Sequence, residues 1–149
     1  MNLNKLKFAL VFFSVLGLTA CKDDETKNLV SLEEYFETNN ISAQNHSSGL
    51  KYTIEEEGIG VKPSASSRVT VFYKGFFTNG NEFDSSRGKE VSFGLNEVIQ
   101  GWTIGFPLLK KGSKATLYIP SHLGYGARGR GSIPPNADLI FEVELIDFK

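Results

Sequence analysis

The chain has 149 residues, a length that suits one domain with an appendage. Its hydrophobic content of 40% and charged content of 22% are ordinary for a globular protein, and a formal charge of −1 with no basic stripe argues against nucleic acid as a partner. A single cysteine excludes an internal disulfide framework and a cysteine-based zinc site, and the two histidines, His46 and His122, lack ligand spacing, so no metal and no cofactor is expected.

Lys5 and Lys7 precede an apolar run from Phe8 to Leu18 that only Ser14 and Gly17 interrupt. These are the charged and hydrophobic regions of a secretory signal, too short for a comfortable membrane span. The run ends Leu18-Thr19-Ala20-Cys21, which resembles the lipobox of bacterial lipoproteins, where the cysteine is acylated and becomes the new amino terminus. That resemblance implies a signal peptide over 1–20, lipidation at Cys21 and export to an outer-membrane anchor. Several acyl chains would hold the protein more firmly than one. An ordinary cleavage site followed by a free thiol is the alternative. Lys22-Asp23-Asp24-Glu25 reads as a solvated acidic tether. It is also similar to the export tag of Bacteroidetes surface lipoproteins, which would favour the cell-surface face over the periplasmic one.

Leu29, Leu32 and Phe36 are spaced by three and four and predict a short helix over 28–39. Ser31 is placed as its N-cap, Glu33 and Glu34 fall in its first turn, and Asn39-Asn40 ends it. Residues 45–49 are small and polar and read as a linker, with His46 solvated. The stretch 21–49 is thus a tether with one helix, which could dock on the following domain or help to dimerise.

Residues 50–149 form the globular domain. Val69, Val71 and Tyr73 alternate with Thr70, Phe72 and Lys74, the period of a half-buried strand. Asn79-Gly80 is a turn signal, because both residues tolerate positive φ. One segment is helical in pattern: Ile99, Trp102, Phe106 and Leu109, with Gly112 placed to stop it. Pro107 removes a backbone donor there, so that helix should be short or kinked. Lys110 and Lys111 read as its solvated end. Ala115, Leu117 and Ile119 alternate in a further strand, and Phe141, Val143 and Leu145 in the last. Antiparallel strands with one helix predict an α+β domain, a twisted sheet wrapped around a single short helix. Periodicity gives a fold class and no activity.

Four blocks then become recognisable. Val69-Thr-Val-Phe-Tyr-Lys-Gly75 leads through Asn79-Gly80 to Phe83-Asp84-Ser85-Ser86. Val98-Ile99-Gln100-Gly101-Trp102 follows. The third runs from Ile119-Pro120 through Leu123-Gly124-Tyr125-Gly126 to Ile133-Pro134-Pro135-Asn136, and Leu139 to Leu145 closes the chain. In this order and spacing the sequence resembles the FKBP family of peptidyl-prolyl cis–trans isomerases.

The resemblance implies rotation about Xaa–Pro bonds in proline-containing polypeptides, assisting the folding of exported proteins. It carries site roles onto matching positions. Trp102 would floor the pocket, and Tyr73, Phe83, Val98, Ile99 and Phe141 would wall it. The Ile99 N–H and the Tyr125 hydroxyl would bind substrate carbonyls, Asp84 would be the one carboxylate in the site, and Ile133 would belong to a mobile flap. Tyr73, Asp84 and Tyr125 are the expected catalytic residues. As plain packing, Tyr73, Val98, Trp102 and Phe141 would equally be core, Asp84 a turn cap, and His122 a surface residue. The chain departs from the family pattern at Val91, at Ser132 and in the short stretch 86–93, which trims the apolar rim. Macrolides such as rapamycin would bind, though more weakly. A competing reading keeps the pocket as a grip for proline segments without turnover. The short 121–136 loop leaves no room for an inserted chaperone domain, which favours the enzyme.

Overall fold

The computed structural model of the protein describes residues 26–149. Cys21 and the leader lie outside the described residues. In chain order the elements are α1 (Leu32–Asn39), β1 (Gln44–Asn45), β2 (Lys51–Glu56), β3 (Arg68–Phe77), β4 (Glu82–Ser85), β5 (Val91–Gly94), α2 (Gln100–Gly105), β6 (Lys114–Ile119) and β7 (Leu139–Phe148). The sheet is antiparallel throughout, in the order β1-β2-β6-β7-β3-β4, with β5 pairing the first half of β3. This is the α+β architecture that the strand and helix patterns predict.

The inner face of the sheet carries Val69, Val71, Leu117, Ile119, Phe141, Val143 and Leu145, all buried. Helix α2 lies across that face and buries Gly101, Trp102 and Gly105. A Cβ on Gly101 would stand 2.6 Å from Ile119 Cγ2, and one on Gly105 would stand 2.8 Å from Leu117 Cδ1. These two glycines let the helix backbone come down onto β6.

The helix is shorter than the apolar spacing from Ile99 to Leu109 suggests. It ends at Gly105 and gives way to a 3-10 turn over Phe106–Leu108 with Pro107 near its start. Proline cannot donate to the carbonyl one turn back, so the last apolar positions are delivered by the tighter turn. Leu109 is already extended, and Gly112 sits at φ +84 in the following turn rather than at the helix stop. Lys110 and Lys111 consequently stand off the helix and pair with Glu57 at 2.9 Å and Asp147 at 2.7 Å. The turn expected at Asn79-Gly80 is present, with Gly80 at φ +85 and its N–H on the Phe77 carbonyl.

Helix α1 begins at Leu32, later than the pattern from Asn28 suggests, with Ser31 Oγ accepting the Glu34 N–H as its cap. It docks on the outer face of the sheet. Leu32 and Phe36 pack against Tyr118 and Ile140, and the Phe36 and Tyr118 ring centroids are 4.7 Å apart. Val30 exchanges two hydrogen bonds with the Thr78 hydroxyl, at 3.0 and 2.9 Å. Asn45 pairs with Lys51 in β1, and His46 turns the chain, its N–H reaching the Leu50 carbonyl at 2.8 Å and its Nδ1 the Ser48 hydroxyl at 2.9 Å. His122 is exposed beside this turn, with Nε2 3.2 Å from the Ser48 carbonyl.

Candidate active site

Where α2 meets the sheet, a cavity of about 630 Å³ opens between the helix start, β3, β4, β7 and the loop between β6 and β7. Its floor is Trp102, only 4% exposed. The indole is met edge-on by Tyr73 at 5.3 Å, Phe93 at 5.5 Å and Phe141 at 5.4 Å. Edge-to-face contacts of this kind suit the aromatic quadrupole and fix each ring's tilt. Phe83 completes the wall, T-shaped to Phe141 at 5.5 Å. Gly75 makes that pair possible, since a Cβ there would stand 2.7 Å from Phe83 and 2.8 Å from Phe141.

Strand alternation places the polar groups. Tyr73 on β3 donates its hydroxyl hydrogen to Asp84 Oδ2 on β4 at 2.9 Å. Asp84 Oδ1 accepts the Ser85 N–H at 2.9 Å, so the exposed carboxylate is held on both oxygens. Burial pushes the Tyr73 hydroxyl well above its ordinary pKa, and the hydrogen bond and charge of Asp84 push it further. Tyr73 is therefore a permanent donor at neutral pH. Ile99 is extended at the N-cap of α2, and no acceptor among the described residues takes its N–H. The Trp102 Nε1–H is buried and also lacks a partner among the described residues. Such an orphan costs about 1–3 kcal/mol, and buried donors elsewhere in proteins nearly always find a partner.

The expected wall, floor and polar residues all line this one cavity: Tyr73, Phe83, Asp84, Val98, Ile99, Trp102, Tyr125, Ile133 and Phe141; Val91, expected at the rim, instead packs against the core and does not line it. Asp84 is not alone, however. Glu97 is a second lining carboxylate, and it pairs with Arg68 at 3.6 Å. It lies one residue before the Val98 block, outside the recognisable motif. Ser132 lines the cavity as the rim position expected of it, and Phe93, Arg130 and Gly131 line it as well, outside the residues that the sequence assigns to the pocket. For Phe93 a signal existed, since β5 alternates Val91, Ser92, Phe93 with the apolar side chains turned inward. Arg130 has none: it reaches the site by folding its guanidinium over the Tyr125 ring, 5.9 Å from the centroid.

A second concavity of about 520 Å³ lies on the outer face, lined by Phe72 amid charged residues such as Lys74, Lys114 and Glu142. It lacks the aromatic box and the orphan donors. Among the described residues no cluster of three or more His, Cys, Asp or Glu side chains could hold a metal, and no helix is long and apolar enough to cross a membrane.

Residues 60–146 match the family model for FKBP-type peptidyl-prolyl cis-trans isomerases. The FKBP-type isomerase FkpA of Aeromonas hydrophila is 45% identical over 135 aligned residues, covering 87% of this chain and 50% of that protein. FkpA of Escherichia coli K12 is 43% identical over 129, covering 85% and 47%. The chain spans about half the length of these curated relatives. Among solved structures, FkpA from Escherichia coli superposes with a TM-score of 0.73 at 45% identity, over 78% of this chain and 57% of that one. A peptidyl-prolyl cis-trans isomerase from Pseudomonas syringae gives 0.72 at 35%, over 78% and 90%.

Proposed function

The chain belongs to the family of FKBP-type peptidyl-prolyl cis-trans isomerases, and on that premise we propose that it catalyses rotation about Xaa–Pro bonds in exported polypeptides. The observation that carries this reading is the aromatic box: Trp102 beneath, Tyr73, Phe93 and Phe141 edge-on around it, and Asp84 held at the rim.

Rotation of an Xaa–Pro bond faces a barrier of roughly 18–20 kcal/mol and takes tens to hundreds of seconds unaided. At the top of that barrier the amide has lost its resonance and is less polar than the planar ground state. A dry aromatic cavity favours the twisted form over water, and each 1.36 kcal/mol of that preference gives about tenfold in rate. The proline ring would sit on Trp102 between Tyr73, Phe83 and Phe141. The free Ile99 N–H and the Tyr125 hydroxyl would hold the flanking carbonyls, so that one end of the peptide stays fixed while the other turns. Asp84, immobilised by Tyr73 and Ser85, would act on the twisted amide through its charge. Val98 and Ile133 would close the sides. The reaction needs no nucleophile and no cofactor.

Three finer assignments accompany this reading. Residues 1–20 act as a signal peptide, Cys21 carries the lipid, and residues 50–149 are the isomerase domain on a short outer-membrane tether. The acidic run after Cys21 is compatible with a periplasmic or a cell-surface position of that anchor. Macrolides such as rapamycin occupy the same cavity with reduced affinity, because Ser132 offers less apolar rim.

Turnover of a Leu-Pro peptide by the soluble Lys22–Lys149 fragment tests the assignment. Asp84→Leu is expected to lower kcat/KM about tenfold and Tyr125→Phe roughly two- to tenfold, with rapamycin competing for the site. Full activity in the Asp84→Leu protein would remove that carboxylate from the mechanism.

A further inference from the structure

Both roots of the loop that carries Tyr125 and Ile133 meet on one carboxylate, which the reaction itself does not use. Asp138 directly precedes β7. Its Oδ1 accepts the N–H of Ser121, at the start of the loop, at 2.9 Å. Its Oδ2 accepts the N–H of Leu32, the first residue of α1, at 3.0 Å. From Ser121 the chain makes a 3-10 turn whose carbonyl accepts the Gly124 N–H at 3.0 Å, and Tyr125 follows. On the other side the Gly126 carbonyl accepts the Asn136 N–H at 2.9 Å, two residues short of Asp138. Tyr125 is thus flanked by two residues that are each tied to a root of the loop, and Asp138 ties the roots together.

The carboxylate is chemically specific in this position. Both of its partners are backbone donors, and accepting both at once needs two acceptor oxygens. An amide of the same shape would turn an NH₂ group toward one of them. Hydrogen bonds to an ionised oxygen are also roughly twice as strong as neutral ones, and a negative charge suits the first turn of α1. The link to Leu32 exists only while α1 sits on the outer face, held by Leu32 and Phe36 against Tyr118 and Ile140.

We propose that Asp138 is a positioning residue that holds Tyr125 over the pocket and makes its placement depend on the docking of α1. This rests on the isomerase reading of the pocket. Undocking α1 withdraws one donor from Asp138 and loosens the loop root. The effect reaches Tyr125 along the Ser121–Gly124 hydrogen bond and leaves the aromatic floor in place.

The test uses the full chain and two substitutions, each made with Tyr125 present and with Tyr125→Phe. Asp138→Asn keeps the shape and loses one acceptor. Leu32→Pro removes the helix donor together with the Leu32 contact that helps to seat α1, at a first-turn position where proline is tolerated after a Ser31 that is already extended. Each is expected to lower kcat/KM for a Leu-Pro peptide by about three- to tenfold when Tyr125 is present. In the Tyr125→Phe background the loss should shrink below about twofold, because the residue acted on is already disabled. Equal losses in both backgrounds, or none in either, would overturn the proposal. Amide exchange in the same samples gives a second reading that does not depend on turnover. Faster exchange at Gly124 and Asn136 with β3 and β7 still protected supports it. Unchanged exchange at Gly124, or lost protection throughout the sheet, overturns it. If the unsubstituted chain does not turn over the peptide, the isomerase reading fails separately, and the exchange data still decide whether Asp138 holds the loop.

Discussion

Tyr73 packs against the core through its ring and holds Asp84 through its hydroxyl, and its titration reports on the second contact. Its hydroxyl pKa is raised first by burial and then by Asp84. For a tyrosine raised in the folded state, the neutral form contributes stability that is complete below the unfolded value near 10 and is lost as pH climbs through the folded value. The stability difference between the unsubstituted protein and Tyr73→Phe is therefore expected to be constant from pH 6 to about 9 and to narrow above about 10; chemical denaturation at stepped pH measures it. Trp102→Phe offers a second separation. Losing one ring of burial costs about 1 kcal/mol, while removing the orphaned indole N–H relieves about 1–3 kcal/mol. Thermal melting should thus change little while turnover falls. A large loss of stability would mark Trp102 as ordinary core. At this scale the wall and floor were legible because Tyr73, Phe83, Trp102 and Phe141 sit in recognisable blocks. Glu97 and Arg130 were not, since one lies just outside a block and the other depends on how a loop folds back.

Among the elements, α2 is held where it is by what Gly101 and Gly105 lack. Alanine normally improves a helix over glycine by about 1 kcal/mol. At Gly101 it would drive a Cβ to within 2.6–2.8 Å of three Ile119 side-chain carbons. Overpacking of that kind costs about 1–3 kcal/mol, so Gly101→Ala should destabilise on balance despite its better propensity, by up to ~2 kcal/mol in urea unfolding. A stabilised variant would mean that α2 can lift off β6 freely. The strands themselves are readable from alternation, with Val69, Val71 and Tyr73 inward on β3 and Ala115, Leu117 and Ile119 inward on β6. Alternation failed at Tyr118 and Ile140, which face outward and are nonetheless buried, because α1 covers them. A period-two pattern reports one buried face and is silent when a second element covers the other. Pro107 allowed the short helix to be foreseen, while the 3-10 turn that finishes the apolar run was not.

At the level of the whole molecule, the strongest constraint was the order of four blocks along the chain, which no single element contains. The docking of α1 stayed open in the sequence, since an amphipathic helix fits a sheet face and a second copy equally well. The structure seats it through Leu32, Phe36, Thr78 and Asp138. The tether carries its own expectation. On the proposed lipidation of Cys21, Cys21→Ser should move the protein from the membrane pellet to the soluble fraction without changing peptide turnover, because no residue lining the aromatic box comes from the tether. Retention of the Cys21→Ser protein in the pellet would rule out lipidation at that thiol as the anchor.

Magnetisation exchange between the cis and trans resonances of a Leu-Pro peptide, with and without catalytic amounts of the protein, measures the proposed rotation itself. Catalysed rotation brings exchange to the second timescale or faster, against the tens to hundreds of seconds of the free peptide, with the rate enhancement falling about tenfold in Asp84→Leu. Peptide resonances that broaden or shift on binding while cis–trans exchange stays at the uncatalysed rate would contradict it, and would make the pocket a grip for proline segments rather than an isomerase.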